Sequence, residues 1–201
     1  PTLAARVPDA PGGIVYREAS PATPIYICGE GAYKSYRNLP SGRRRVAAFL
    51  FADDMFGLAQ GGKYVNTVQA ILRSACYRIP METLAAVLRR DAELEFHFLC
   101  KVTHELRESQ RRSIIIGRRS ATGRIAMFLH MLESNNANEP TGDVIALPMS
   151  RSDIANYVGL SPEAMSRATG QLTKQGILKF EGPHAVRVID RHRFRGLAAD
   201  I

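Results

Sequence analysis

Glu163, Ser166 and Arg167 are set three and four residues apart, in a segment whose punctuation is helical. On a helix this spacing projects all three side chains from one side. An Arg guanidinium presents a donor fork that matches guanine O6 and N7, and a Glu carboxylate accepts from cytosine N4. The three therefore form a candidate base-reading set for double-stranded DNA. The alternative is an exposed i,i+4 Glu–Arg pair worth about 0.2–0.5 kcal/mol. Ser150, Ser152, Ser161, Thr169, Gln171 and Lys174 surround the set and are weaker candidates for contacts to the phosphate backbone.

The elements that must position these residues are sharply marked. Ser150 caps a first helix, with Asp153 in the capping-box position, and Ile154, Ala155 and Val158 supply its apolar face. Gly159 ends it where positive φ is wanted. Ser161 caps a second helix, Pro162 suits its first position, and Met165, Ala168 and Leu172 face inward until Gly176 stops it. So short a joint forces a sharp crossing, which is the helix-turn-helix signature. In that motif the N-terminal half of the second helix enters the major groove. Ile177–Phe180 and Val186–Ile189 flank Gly182-Pro183-His184, a hairpin pattern that predicts a wing.

Upstream, residues 1–90 alternate in short runs such as Ile25–Cys28, Tyr33–Tyr36 and Arg45–Leu50. Pro11-Gly12-Gly13, Gly29-Glu30-Gly31, Asp53-Asp54 and Gly61-Gly62 separate them, predicting a small antiparallel β-roll. Pro80 then opens a helix carrying Met81, Leu84, Ala85 and Leu88. A long helix follows over about 91–117. Within it Leu99, Val102, Leu106, Ser109, Ser113 and Ile116 are spaced as a heptad-like seam. A twin helix in a homodimer, or burial within the chain itself, would both account for that seam. Ser120 caps a further helix bearing Ile125, Phe128, Leu129 and Leu132, and the polar stretch Ser134–Gly142 reads as a loop. The expected class is α+β: a β-roll over 1–90, a dimerisation helix over 91–117 and a winged helix-turn-helix over 118–201.

Charge is consistent with a polyanionic partner. The chain carries 27 Lys and Arg against 19 Asp and Glu, a net of +8. From Arg111 onward the counts are 13 and 8, a net of +5, and Arg111, Arg112, Arg118, Arg119 and Arg124 cluster tightly. The competing reading of the cluster is a solvated helix surface. No apolar run approaches the ~18–20 residues that span a bilayer, so a cytoplasmic protein with no membrane partner is expected. The chain opens at Pro1 with no charged-then-apolar leader, and residues preceding it are expected.

Cys28, Cys76 and Cys100 suit reduced thiols, with Cys100 expected as a buried apolar filler and a redox role left open. His97 and His104 lie seven apart on one helix face, two ligands being too few for a closed metal site. No Ser-His-Asp, Walker or Rossmann pattern occurs, so neither an enzyme nor a metal is expected.

The order of parts resembles the family of the catabolite activator protein and the fumarate–nitrate reduction regulator. The resemblance rests on Asp53–Gly57, Ile79–Leu84, Gly123–Leu129, Ser152–Leu160 and Glu163–Arg167. It implies a cyclic-nucleotide-binding-like roll and a homodimeric transcription regulator, read as an activator, with RNA polymerase as partner; the alternatives are a ligand- or redox-gated repressor, or a sensor module whose winged helix makes protein contacts. The Glu-x-x-Ser-Arg form resembles the oxygen-responsive branch, which implies palindromic TTGA-like sites. Two sensory patterns of the family are altered. Phe56-Gly57 is followed by Leu58 rather than Glu, and Lys63-Tyr64-Val65 replaces the phosphate-binding arginine segment. Tyr77 stands where the iron–sulfur members carry a cysteine, with Cys76 one residue away, a shift that points a strand residue to the other face. A branch with neither device and no cofactor is the FixK type, rhizobial regulators of microaerobic and nitrogen-fixation genes.

Overall fold

The computed structural model describes residues 4–40, 42, 44–59, 61–118, 120–134 and 143–199. The chain divides into two compact units, Pro1–Ser109 and Gln110–Ile201, with the division inside its longest helix rather than at the helix ends.

The first unit contains strands β1 (Ala5–Asp9), β2 (Ile14–Tyr16), β3 (Pro24–Glu30), β4 (Tyr33–Asn38), β5 (Arg44–Leu50), β6 (Met55–Phe56), β7 (Thr67–Ala70) and β8 (Ser74–Pro80). They form two antiparallel four-stranded sheets in the orders β1-β8-β3-β6 and β2-β7-β4-β5, the expected roll. Side chains alternate across each strand. Tyr26 and Cys28 of β3 and Cys76 of β8 join an interior cluster with Tyr16, Tyr33, Phe56 and Tyr64. Ile25, Ile27 and Ile79 take the alternate positions and face outward. Rings fill the interior: Tyr16 stacks on Tyr64 at 3.7 Å between centroids, and Tyr26 on Phe56 at 5.3 Å. The Tyr64 hydroxyl donates to the Pro24 carbonyl at 2.8 Å and the Tyr33 hydroxyl to Asp9 at 2.9 Å, so these buried phenols are satisfied.

Helix α1 (Met81–Leu88) follows β8, with Pro80 as its N-cap residue rather than inside its first turn. Helix α2 (Ala92–Gly117) has 26 residues, a length of about 39 Å at ~1.5 Å per residue. Within the first unit its residues Phe98, Val102, Glu105 and Glu108 are half-buried. The opposite side exposes Phe96, Leu99, Thr103 and Leu106, with Leu99 60% and Leu106 58% exposed. The expected seam is thereby corrected in part. Leu99, Leu106, Ser109 and Ser113 are exposed, whereas Val102 and Ile116 are half-buried in their own chain. A straight helix turns 3.6 residues per turn, so a strict heptad drifts off the exposed stripe. Cys100 is also corrected: it is exposed, and the buried thiols are Cys28 and Cys76, which face each other in register across β3 and β8. Burial pushes the Cys76 thiol up to about 11 and the Cys28 thiol to about 12, which disfavours the reactive thiolate.

The second unit holds the end of α2, then α3 (Ala121–Ser134), β9 (Val144–Ala146), α4 (Arg151–Val158), α5 (Pro162–Lys174), β10 (Leu178–Phe180), β11 (Ala185–Val188) and α6 (Arg191–Ala199). Its core packs Phe128, Leu129, Leu132, Ile154, Leu172 and Phe194. The strands form one antiparallel sheet in the order β10-β11-β9. Ser120 caps α3 as expected, its hydroxyl accepting from the Gly123 N–H at 3.2 Å. The expected loop beyond Ser134 and the side chain of Arg119 lie outside the described residues.

Glu105 carries a testable consequence of this packing. Burial, reinforced by the nearby Asp54 carboxylate, raises it from 4.5 to about 7, against the opposing pull of the Met55 N–H and Lys101. Asp54 is raised too, chiefly by burial. A carboxyl raised in the folded state binds its proton longer there than in the unfolded chain. Its contribution is thus full below pH 4.5 and lost as pH rises to about 7. Glu105→Gln keeps an acceptor for Met55 and removes the charge. Its melting temperature should exceed that of the wild type at pH 7–8 and converge with it below about pH 4.5. Parallel melting curves at all pH values would remove Glu105 from the account.

Candidate nucleic-acid interface

The joint between α4 and α5 forms as its residues dictate. The Ser150 hydroxyl accepts from the Asp153 N–H at 3.1 Å and donates to the Asp153 carboxylate at 2.8 Å. Gly159 sits at φ +69°, a conformation that strains any residue with a Cβ. The Ser161 hydroxyl accepts from the Ala164 N–H at 3.2 Å, with Pro162 opening α5. Gly176, one residue past the C-cap Gln175, has φ +65°. Ile154, Ala155, Tyr157 and Val158 of α4 and Met165, Ala168, Thr169 and Leu172 of α5 are buried.

That burial leaves one face of α5 to solvent. Glu163, Ser166, Arg167, Gly170, Gln171 and Lys174 are all exposed. Ser166, Arg167, Gly170, Gln171 and Lys174 line a shallow depression along the helix. The expected base-reading residues are thus brought together near the N-terminal half. Ser152 is exposed at the start of α4, its hydroxyl 2.9 Å from that of Ser150. Ser150 and Ser161 are exposed but spend their hydroxyls on capping. Thr169 is corrected: it is 6% exposed and its hydroxyl donates to the Ser166 carbonyl at 3.0 Å, so it cannot reach a phosphate. It shares the inward side with Met165 and Leu172, four before and three after it.

The arginine cluster is redistributed by the structure. Arg118 donates from Nη1 to the Leu197 carbonyl at 2.9 Å and from Nη2 to the Ala198 carbonyl at 2.8 Å, closing the end of α6. Arg124 donates to the Arg118 carbonyl at 2.7 Å and to the Val158 and Gly159 carbonyls at 3.4 and 3.2 Å, closing the end of α4. Guanidinium groups at helix C-termini satisfy orphan carbonyls and complement the helix dipole. Arg112 lies over the Tyr157 ring at 5.3 Å. These three arginines hold the unit together. The wing is tied down similarly: Arg151 lies over Phe180 at 4.5 Å and donates to the Gly182 carbonyl at 3.0 Å, and Arg187 donates to Glu181 at 2.8 Å.

A Crp-like helix-turn-helix domain matches residues 123–197 and a cyclic nucleotide-binding domain matches residues 9–91. The nitrogen fixation regulation protein FixK of Bradyrhizobium diazoefficiens is 31% identical over 98% of this chain and 83% of its own length. The transcriptional activatory protein AadR of Rhodopseudomonas palustris is 30% identical over 98% and 82%. The structure of FixK2 from Bradyrhizobium japonicum superposes with a TM-score of 0.88 at 32% identity, covering 99% of both chains. The chain belongs to the Crp/Fnr family of DNA-binding transcription regulators. Its relatives of the FixK type share both of its domains.

The roll of this family member does not fit a cyclic nucleotide. Stacked Tyr16, Tyr64, Tyr26 and Phe56 occupy the interior, and no arginine or lysine among the described residues is buried there to meet a phosphate. At Gly57, φ +85°, a Cβ would come within 3.0 Å of the Tyr26 ring, so even the backbone is packed against aromatics. Tyr77, at the family's iron–sulfur ligand position, is exposed, whereas Cys76 points into the roll.

The sequence reading did not single out Gly170, which lies mid-helix on the exposed face of α5, with nothing within 4 Å of a built Cβ. Glycine in a helix interior costs about 0.5–1 kcal/mol relative to alanine. Gly170→Ala should therefore raise stability by up to about 1 kcal/mol, read by urea unfolding. If this face meets DNA, the same change should weaken specific binding. Greater stability with unaltered binding would place the contact surface elsewhere.

Proposed function

We propose that the chain is a homodimeric, sequence-specific transcription activator of the FixK type. It reads a palindromic TTGA-like site in double-stranded DNA, without cAMP or an iron–sulfur cluster, in the control of microaerobic and nitrogen-fixation genes. RNA polymerase is its partner at the promoter, and the cytoplasm its compartment. No helix of the described residues is long and apolar enough to cross a membrane.

The observation that carries the reading is the exposed set Glu163, Ser166 and Arg167 on a helix whose other side is locked into the core. Arg167 reads guanine, Glu163 accepts from cytosine, and Ser166 supplies a third polar contact. Ser152, Gln171 and Lys174 position the helix on phosphates, and the α4 and α5 N-termini capped by Ser150 and Ser161 add their dipoles. The names of its relatives support the regulatory assignment, FixK for nitrogen fixation and AadR for activation. The filled roll supports independence from a cyclic nucleotide.

Arg167→Ala tests base reading. One bidentate Arg–guanine contact discriminates by about 1–3 kcal/mol, and a dimer makes it twice, so roughly 2–6 kcal/mol should be lost on the best palindrome. Affinity for random duplex should hardly change, because phosphate contacts remain. Lys174→Ala should instead weaken all sequences alike and flatten the salt dependence. An Arg167→Ala protein with an unaltered ratio of specific to random affinity would make Arg167 a surface residue.

The exposed apolar stripe of α2 supports the dimer. Leu99 and Leu106 with Phe96 form one side of a twin-helix contact, with Ser109, Ser113, Val102 and Ile116 along its margin. Leu106→Asp would bury an unpaired charge in that contact, at a cost of roughly 3–5 kcal/mol. Light scattering should find monomers that no longer bind the palindrome tightly. A monodisperse dimer of this variant would remove the seam.

A further inference from the structure

Within the first unit a cleft of about 580 Å3 opens on the outer face of the β1-β8-β3-β6 sheet. Ile25, Ile27 and Ile79 floor it, on the opposite face from the aromatic interior. A sheet apolar on both faces must be covered on both. Here the cover is incomplete. Helix α1 is rich in apolar residues yet has none fully buried, and Val87 of α1 and Phe98 of α2 line the cleft half-exposed. A concave apolar site with a few converging polar groups is the usual form of a small-molecule site.

The polar groups stand along one rim. His97 and Lys101 are one turn apart on α2, and both line the cleft. His97 Nδ1 lies 2.9 Å from the Glu93 carbonyl, which can only accept, so Nδ1 is the donor of that pair. The Lys101 ammonium donates to the Asp53 carbonyl at 3.1 Å, leaving two of its three protons for another acceptor. Asp53 lines the same rim and the Asp54 and Glu105 carboxyls already feel the Lys101 charge, so the rim tolerates at most one negative charge on a ligand. The walls are mainly branched aliphatic, with Phe98 the one ring among them, and favour a flexible alkyl chain over a stacked ring. Phe98 and Lys101 also lie off the side of α2 that exposes Leu99 and Leu106, so the proposed dimer contact leaves the cleft open.

From this we propose that the cleft is a binding site for a medium-chain aliphatic monocarboxylate, its chain against Ile27, Ile79 and Val87 and its head group on Lys101. The site is separate from the roll interior and does not depend on the DNA-binding reading.

Calorimetry of the full chain with decanoate, kept below its micelle concentration, tests it. One saturable site is expected, with decanol about tenfold weaker, as for loss of one hydrogen bond to a charged group. Lys101→Met keeps the apolar stem and removes the charge. It should bind decanol as the wild type does and lose the preference for decanoate. Val87→Trp, which fills the cleft, should abolish binding of both. Four results would each overturn the proposal: no saturable heat with decanoate, a decanoate preference that survives in Lys101→Met, loss of decanol binding in that variant, or undiminished binding in Val87→Trp.

Discussion

The exposed face of α5 depends on one joint, the turn from Val158 to Pro162. Two short helices meet there with almost no chain between them, and their crossing is set by what satisfies the backbone at the turn. Gly159 supplies the left-handed residue, and the Ser161 hydroxyl takes an N–H of α5. Arg124, from α3, reaches the Val158 and Gly159 carbonyls with one guanidinium nitrogen and the Arg118 carbonyl with another. The start of α3, the residues just before it and a turn some 35 residues on are thereby bonded through a single side chain. A helix held in this way presents Arg167 with its backbone already fixed, so the proposed contact would have only the side chain's own rotamers to order.

A different constraint governs the roll. Inward positions of β3 and β8 carry Tyr26, Cys28 and Cys76, and the interior is closed by ring stacking. With stacked rings inside, this roll holds no buried arginine or lysine for a phosphate among the described residues. The outward positions of the same strands are also apolar, and α1 covers them only loosely. The sheet therefore has one face filled by rings and one face only partly covered, and the cleft lies on the second.

Capping was the most legible feature of the sequence because it is local. Ser150, Asp153, Gly159, Ser161 and Pro162 act within four residues of themselves, and each is found where its type predicts. Alternation likewise gave the roll, since a period of two is written along each strand. Thr169 was misread although the information was present: it is four residues from Met165 and three from Leu172, on the buried side. Ile116 falls off the exposed stripe because a heptad and an α-helix diverge over four turns, whereas Val102, within one heptad of Leu99, lies simply to one side of the stripe. Strand β9 and helix α6 were not anticipated. Three residues, Val144–Ala146, are too few to show a period, and α6 contains Arg191, His192, Arg193 and Arg195 around the single large anchor Phe194. The cleft beside α1 is a matter of incomplete covering, which no spacing encodes.

Charge shows most clearly where local pattern stops. Five arginines in a short stretch read as one basic face, and the count alone cannot say where a guanidinium goes. Arg118 and Arg124 go to carbonyls 79 and 35 residues away along the chain, and Arg112 goes to an aromatic ring. A guanidinium bonded to main-chain carbonyls still carries its charge and still contributes to the field that draws DNA in. It does not contact a phosphate with the protons already committed. The net charge of +8 therefore bears on encounter more than on specific contact. In the proposed reading, specific contact falls to the exposed cations of α5. On that helix the cationic side chains are Arg167, near the N-terminal half, and Lys174, two turns on, so the proposed base reading rests chiefly on the first.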